Sequence, residues 1–285
     1  MLNMFRSLGE WFNGPWRKPA KDQWNERLHN QLIEDVRTIR FRAGVQKAGI
    51  LLCGPFQSGK STLINTIFSI SQGRPAYVSA AFASDRNVTF QFIKAPDDCA
   101  FNNFEIRDTV GLSEGQGLGF NIQDLVYALN GNIKANYKFK GDVPIQETDP
   151  FFLDSPSNED KSHCLVIVLD VTLLDTITDR ICNKFRQVVD ETISKGVPIV
   201  LILTKIDKIY PYLRKDIKYL FHSSIVQTAV TKAELIFGIQ KKNIHPVLNF
   251  TDNTEVDPIE CIPILLALKQ ILHYASDHIR FHLNG

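Results

Sequence analysis

Two kinds of apolar pattern alternate along the chain. Short apolar runs predict strands, and longer stretches with apolar residues three and four positions apart predict helices. The predicted strands are 48–53, 88–94, 103–108, 163–170, 198–203 and 244–248, and the predicted helices are 60–70, 121–131, 177–195, 211–237 and 258–281. This alternation favours an α/β fold, with a mostly parallel six-stranded sheet and helices on both of its faces.

The strand patterns also predict positions within the sheet. The runs 164–169 and 198–203 show no polar alternation, which is typical of central strands covered on both faces. The strands at 88–94 and 103–108 are more mixed and are joined by a short loop, so they predict an antiparallel hairpin at one edge.

Two segments lie outside the alternation. Residues 1–47 hold all three tryptophans and one predicted helix at 22–41, and we expect them to form an extension packed on the domain 48–285. Residues 111–162 form a long insertion bearing glycine, asparagine and proline. Long loops of this kind are usually functional or mobile, and we expect the glycine-rich start of the insertion to respond to a bound ligand.

The run Gly54–Ser61 reads GPFQSGKS and lies between the strand 48–53 and the helix 60–70. Strand, glycine-bearing turn, Lys-Ser and helix together are the phosphate-binding loop in its required context. Backbone N–H groups of such a turn curl around an anion, and the helix N-terminus adds partial positive charge. The pattern predicts Lys60 on the β- and γ-phosphates and Ser61 on Mg²⁺. The predicted nucleotide contacts in this loop are Gly54, Gln57, Ser58, Gly59, Lys60, Ser61 and Thr62.

Asp108-Thr-Val-Gly111 follows the strand 103–108 and forms a DxxG pattern. The pattern is common by chance, so its place after the edge hairpin carries the argument. There Asp108 is expected to approach Mg²⁺ through water, and the Gly111 amide to sense the γ-phosphate. The hydroxyl residue that closes over Mg²⁺ stays open among three alternatives: Ser79, Ser84 and Thr89.

Thr204-Lys205-Ile206-Asp207 ends the strand 198–203, where an open α/β sheet binds its ligand. A carboxylate at Asp207 accepts hydrogen bonds from N1–H and the 2-amino group of guanine, donors that adenine lacks. The Lys205 stem is expected to pack across the base. The motif therefore predicts GTP or GDP and argues against an ATPase. Beyond the last strand, Asn249 and Phe250 fall where a base contact is expected, with a plain turn as the alternative.

Composition narrows the class of protein. The 285 residues carry a net charge of +1, which gives no reason to expect a nucleic acid partner. The five cysteines are dispersed, which is typical of reduced thiols in an intracellular protein. No secretory signal or membrane-length apolar run is visible, so a cytoplasmic location is expected. An apolar stripe at Leu2, Phe5, Leu8 and Phe12 leaves two alternatives, docking on the domain's own surface or contact with a membrane.

Further short segments resemble the interferon-induced protein 44 and 44-like family. They are Pro15-Trp16-Arg17, Gly111-Leu-Ser-Glu114, Leu129-Asn-Gly-Asn-Ile133, Tyr137-Lys-Phe139, Asp154-Ser-Pro-Ser157 and His163-Cys164. The resemblance runs from about Pro15 to the last helix and includes the insertion 111–162. It implies an intracellular protein with a Ras-like, P-loop GTP-binding domain, linked to interferon and antiviral responses. Phe56 and Gln57 stand where family members often have smaller residues.

Two functions follow from these motifs. One is a guanine-nucleotide switch with slow GTP hydrolysis, and the other is a GTP-binding scaffold with little or no hydrolysis. Ras-like enzymes orient the attacking water with a glutamine just after DxxG, but this chain has Leu112 there. Gln57 and Asp108 are the remaining catalytic candidates. Hydrolysis would then need a group from a protein partner or from a nucleotide-dependent dimer.

Overall fold

A six-stranded sheet with the order β2-β3-β1-β4-β5-β6 lies at the centre of the molecule. The computed structural model describes residues 14–78, 90–94, 99–112, 121–141 and 143–283. The strands are β1 (Ala48–Cys53), β2 (Gln91–Lys94), β3 (Phe104–Asp108), β4 (Cys164–Asp170), β5 (Ile199–Thr204) and β6 (Ile244–Pro246). Five of them run parallel, and β2 pairs antiparallel with β3 at one edge. The predicted mostly parallel sheet and edge hairpin are confirmed.

Helices cover both faces of the sheet. They are α1 (Glu26–Thr38), α2 (Lys60–Gln72), α3 (Ile122–Asn130), α4 (Asp179–Ser194), α5 (Ser224–Phe237) and α6 (Pro258–His282). Within the described residues, short 3-10 turns lie at Lys21–Gln23, Val171–Asp175, Ile206–Lys208, Pro211–Arg214, Ile217–Tyr219 and Lys241–Asn243. α6 packs on α1, β1 and β4, while α4 packs against α5. In the described part of the chain, no helix is both long and apolar enough to span a membrane.

The predicted helix 211–237 is wrong in its first half. Leu213, Ile217 and Leu220 are buried at helical spacing, but the chain there forms two short turns before α5. The side chain of Asp216 accepts a hydrogen bond from the Lys218 amide, and Ser223 caps α5 in the same way. Side-chain acceptors of this kind compete with helical hydrogen bonds, so the apolar spacing is kept without a continuous helix.

The register of the sheet brings several strand ends to one edge. Leu52 of β1 lies opposite Asp108 of β3 on one side and Val166 of β4 on the other. After β1 the chain continues first to the strands on one side of β1 (β2 and β3) and then to those on the other side (β4 to β6). The loop after β1 therefore begins where the strand order reverses. Such a switch point, at the carboxyl ends of the strands, is where open α/β sheets bind ligands.

The N-terminal segment packs closely on the rest of the chain. Trp24 is 1% exposed, and its indole N–H donates to the Pro19 carbonyl at 3.0 Å. The rings of Trp16 and Trp24 both meet Phe221 edge-on, with centroids 5.4 Å apart in each case. The predicted helix 22–41 is shorter than expected, because α1 spans Glu26–Thr38. Trp11 and the stripe Leu2, Phe5, Leu8 and Phe12 lie outside the described residues.

The described part of the insertion extends the core. Its α3 ends at Gly131, whose φ of +85° favours glycine. Tyr137 and Phe139 beyond it are buried. Two backbone hydrogen bonds of 2.7 Å join Phe90 to Asn136 and Tyr137, so this segment lies beside the chain entering β2. The expected ligand-responsive glycine stretch falls mostly on residues 113–120, outside the described part.

A buried polar cluster fixes the end of the insertion to the sheet. Arg107 of β3 is 1% exposed, pairs with Glu105 at 2.7 Å and donates to the Glu159 carbonyl at 2.6 Å. His163 accepts a hydrogen bond from the Gly49 amide at its Nδ1, at 2.8 Å, and its Nε2 donates to the Asn158 carbonyl at 3.0 Å. A Cβ at Gly49 would lie 2.6 Å from the Arg107 guanidinium carbon, so glycine leaves room for this cluster.

Candidate nucleotide-binding site

The loop between β1 and α2 has the tight geometry that its sequence predicts. Gly59 has a φ of +93° and lies directly before α2, and Gln57 is also left-handed, at +58°. At the base of the loop, a Cβ on Gly54 would collide with the Val168 carbonyl oxygen of β4. Ser58 is fully buried beneath the turn, whereas the Gln57 side chain is exposed. The loop thus packs directly on the sheet.

Lys60 folds back over this loop. Its Nζ donates to the carbonyls of Gly54 and Pro55, each at 3.2 Å. Burial lowers the pKa of the Lys60 amine, and the nearby Asp108 charge partly offsets that effect. A phosphate bound in the loop would replace the two carbonyls as the partner of this ammonium group. Ser61 and Thr62 follow it in the first turn of α2, and both are half-buried.

Asp108 faces Lys60 from the end of β3. Burial raises the pKa of its carboxyl to about 6, although the Lys60 charge acts in the opposite direction. Among the described residues, three buried polar atoms of this region have no hydrogen-bond partner: Ser58 Oγ, Asp108 Oδ1 and Asn249 Oδ1. Buried polar atoms are nearly always paired, and a ligand or a water molecule bound beside the loop would supply the missing partners. Carboxylate and hydroxyl oxygens at Asp108 and Ser61 suit Mg²⁺.

The DxxG segment lies directly on the phosphate loop. The Leu112 amide donates to the Gly54 carbonyl at 2.9 Å, and the Phe56 amide donates to the Leu112 carbonyl at 3.4 Å. A Cβ at Gly111 would lie 2.7 Å from the Phe56 nitrogen, so only glycine fits there without displacing the loop. The three alternatives for the Mg²⁺-closing hydroxyl, Ser79, Ser84 and Thr89, lie outside the described residues.

Two residues of the Thr204–Asp207 motif hold the phosphate loop in place. The Thr204 hydroxyl donates to the Ser58 carbonyl at 2.6 Å. Lys205 has a left-handed φ of +57°, and its Nζ donates to the Gln57 carbonyl at 2.9 Å and to Asp170 at 2.7 Å. In this geometry the ammonium group of Lys205 contacts the backbone of the phosphate loop.

The sequence interpretation missed Asp170. Burial alone would raise the pKa of its carboxyl, but hydrogen bonds from Lys205 and Thr172 hold it below its usual value. Asp170 ends β4 opposite Thr204, at the same sheet edge as the other motifs. The rule that located Asp207 at a strand end would have found it too.

Asp207 is 6% exposed and already has a partner. Nε and Nη2 of Arg214 both lie 2.8 Å from its Oδ2. Sequence patterns do not predict this pair, because its two members lie in separate short turns, Ile206–Lys208 and Pro211–Arg214. On the other side of the loop, Asn249 donates to the Gly59 carbonyl at 3.3 Å, and the Phe250 amide donates to Thr66 at 3.0 Å. The loop after β6 therefore reaches the start of α2.

Solved structures with a similar fold include Toc33 from Arabidopsis thaliana. A dimerization-deficient mutant of Toc33 matches 92% of this chain and 97% of its own, with a TM-score of 0.51 and 15% identity. Toc33 in complex with Mg²⁺ and GMPPNP matches 90% of this chain and 95% of its own, with the same TM-score and identity. At this identity the likeness shows only that the chain shares the fold of Toc33.

No protein-family model matches this chain. Among curated proteins, human interferon-induced protein 44-like is 31% identical over 255 residues, which cover 88% of this chain and 56% of the relative. Human interferon-induced protein 44 is 28% identical over 257 residues, covering 88% of this chain and 58% of the relative. The chain thus spans a little over half the length of these relatives. The predicted resemblance is confirmed, and across 88% of its length this chain is a homologue of the interferon-induced 44 and 44-like proteins.

Proposed function

We propose that this chain is a guanine-nucleotide-binding protein, with residues 48–285 as its nucleotide-binding domain, 111–162 as an insertion and 1–47 as a packed extension. One observation carries the proposal: the phosphate loop, Asp108 and Asp207 converge at one edge of the sheet. The buried unpaired oxygens of Ser58, Asp108 and Asn249 support it, because a ligand there would satisfy them.

Different residues of the site would bind different parts of the nucleotide. Backbone amides of the loop and the start of α2 would cradle the phosphates, with Lys60 as their positive charge. Ser61, and Asp108 through water, would hold Mg²⁺, which neutralises phosphate charge when bound. Asp207 would select guanine by accepting hydrogen bonds from the N1–H and 2-amino groups of the base. Thr204 and Lys205 hold the phosphate loop against the end of β5.

We further propose that hydrolysis is slow. Leu112 is 2% exposed and offers only hydrocarbon where a water-orienting amide is needed. Turnover by the isolated protein should be no faster than about 10⁻² s⁻¹. Leu112 also supports the alternative, a GTP-binding scaffold with little or no hydrolysis. Phosphate release by a purified monomer at about 1 s⁻¹ or more would contradict both versions.

Two wider proposals rest on the relatives and neighbours, and a third rests on the net charge of the chain. The interferon-induced names support a role as a cytoplasmic switch in the antiviral and innate immune response. The Toc33 mutant described as dimerization-deficient supports a nucleotide-dependent dimer here, in which a second copy supplies a catalytic group. Specific activity that rises with protein concentration would support that dimer. We expect protein partners, not nucleic acid.

Lys60→Ala tests the proposed site most directly. Removing the ammonium group should weaken GDP and GTP binding at least tenfold, or about 1.4 kcal/mol, in calorimetric titrations. Lys138→Ala is the matched control, because Lys138 is exposed on the insertion. Equal affinity for GTP in Lys60→Ala and wild type would refute the site, and equal binding of ADP and GDP by wild type would refute the guanine selection.

A further inference from the structure

Arg214 donates hydrogen bonds to a carboxylate oxygen of Asp207, Oδ2, that a guanine base would need as an acceptor. Asp207 is 6% exposed, and both contacting nitrogens of Arg214, Nε and Nη2, lie 2.8 Å from its Oδ2. Guanine presents a similar edge, with N1–H and a 2-amino group side by side, and it pairs with both oxygens of a carboxylate. The guanidinium group therefore offers Asp207 the same kind of donors as the base.

The backbone around Arg214 is fixed, but its side chain is not enclosed. Leu213 is fully buried, and the Tyr212 ring meets Tyr219 edge-on at 5.2 Å, so the turn Pro211–Arg214 is anchored. The Arg214 side chain is 46% exposed. It can leave Asp207 by rotating into solvent without any change in the turn. A buried carboxylate with an exposed, rotatable partner is an arrangement in which one donor can be exchanged for another.

We infer that Arg214 is an internal competitor for the base-recognition carboxylate. This inference rests on the proposed guanine-nucleotide function. In the nucleotide-free protein Arg214 satisfies Asp207, which would otherwise be a buried unpaired charge. Guanine must displace it, so part of the base's binding free energy is spent on breaking this pair. Arg214 thus lowers affinity for every guanine nucleotide and keeps the empty state stable.

Titration of a fluorescent GDP analogue into wild type and Arg214→Met tests the competition. Methionine keeps much of the apolar stem but offers no donor, so the dissociation constant should fall by about three- to tenfold. Arg214→Lys keeps the charge without the planar fork and should bind with intermediate affinity. Arg180→Met is the control, since Arg180 is exposed at the start of α4.

Thermal unfolding supplies a second readout. Without nucleotide, Arg214→Met should unfold at a lower temperature than wild type, because Asp207 loses its partner. Saturating GDP should raise its midpoint by more than it raises that of wild type. If wild type binds GDP and Arg214→Met binds it equally or more weakly, Arg214 positions Asp207 and the competition is refuted. If folded wild type and Arg214→Met both fail to bind GDP, the proposed function itself is wrong.

Discussion

Replacing His163 with asparagine should make the stability of the protein less sensitive to acid. Nδ1 of this buried ring accepts a hydrogen bond from Gly49, and Nε2 donates one to Asn158. A second proton on the ring would turn Nδ1 into a donor that faces the N–H group of Gly49, which is also a donor. Burial, together with the positive charge of Arg107, lowers the pKa of His163 from 6.5 to about 3. Asparagine has a carbonyl oxygen to replace Nδ1 as the acceptor, and it does not titrate.

The size and sign of the change in stability with pH follow from the lowered pKa of His163. In the unfolded chain the imidazole gains a proton as the pH falls below 6.5, whereas the folded protein keeps it neutral down to about pH 3. Acid therefore favours the unfolded state, and stability is lost as the pH falls through this window. Linkage gives a loss of about 2 kcal/mol between pH 7 and pH 5 from this one side chain.

Urea unfolding of wild type and His163→Asn between pH 5 and pH 7.5 measures the effect. The absolute stabilities also contain the cost of losing the Asn158 contact, so the informative quantity is how their difference changes with pH. It should move by about 2 kcal/mol in favour of the variant on going from pH 7 to pH 5. His273→Asn, which removes an exposed imidazole of α6, is the control. A difference that stays constant across this range would refute the reasoning.

Two further substitutions test the site and its support. Asp207→Asn should bind GTP at least tenfold more weakly and should partly gain affinity for xanthosine triphosphate, whose base has a carbonyl in place of the 2-amino group. Competition binding checks this prediction, and an unchanged preference for GTP would contradict it. Gly54→Ala should cost more than about 2 kcal/mol in urea unfolding, because its methyl group meets the Val168 carbonyl. Gly14→Ala is the control for Gly54, since a Cβ at Gly14 meets nothing within 4 Å, and an equal cost at both positions would refute the steric argument.

Local patterns predicted the parts of this molecule that depend on local chemistry. Gly59 has the left-handed backbone that glycine readily adopts, and Lys60 begins α2 directly after it, as the loop pattern predicted. The uninterrupted apolar runs of β4 and β5 predicted their burial correctly. In each case the residues that decide the structure are neighbours in the sequence.

Pairings between distant segments could not be predicted in this way. The contact of Lys205 with Asp170 spans 35 residues, and the bridge between Pro55 and Leu112 joins two separate loops. Neither leaves a periodicity in the sequence, because each depends on which strands become neighbours in the sheet. The pair formed by Asp207 and Arg214 was missed for a different reason: a continuous helix was predicted from residue 211, whereas short turns bring Arg214 back to the carboxylate.

The packing of Trp16 and Trp24 on Phe221 gives the protein an optical reporter of its own. All tryptophans of the chain lie within its first 24 residues, and both described ones meet the same ring. Indole emission shifts to longer wavelength when water reaches the ring, so the part of the native fluorescence that comes from Trp16 and Trp24 reports their contact with Phe221. Release of the N-terminal segment before the sheet unfolds would appear as an early red shift in denaturant, without any label.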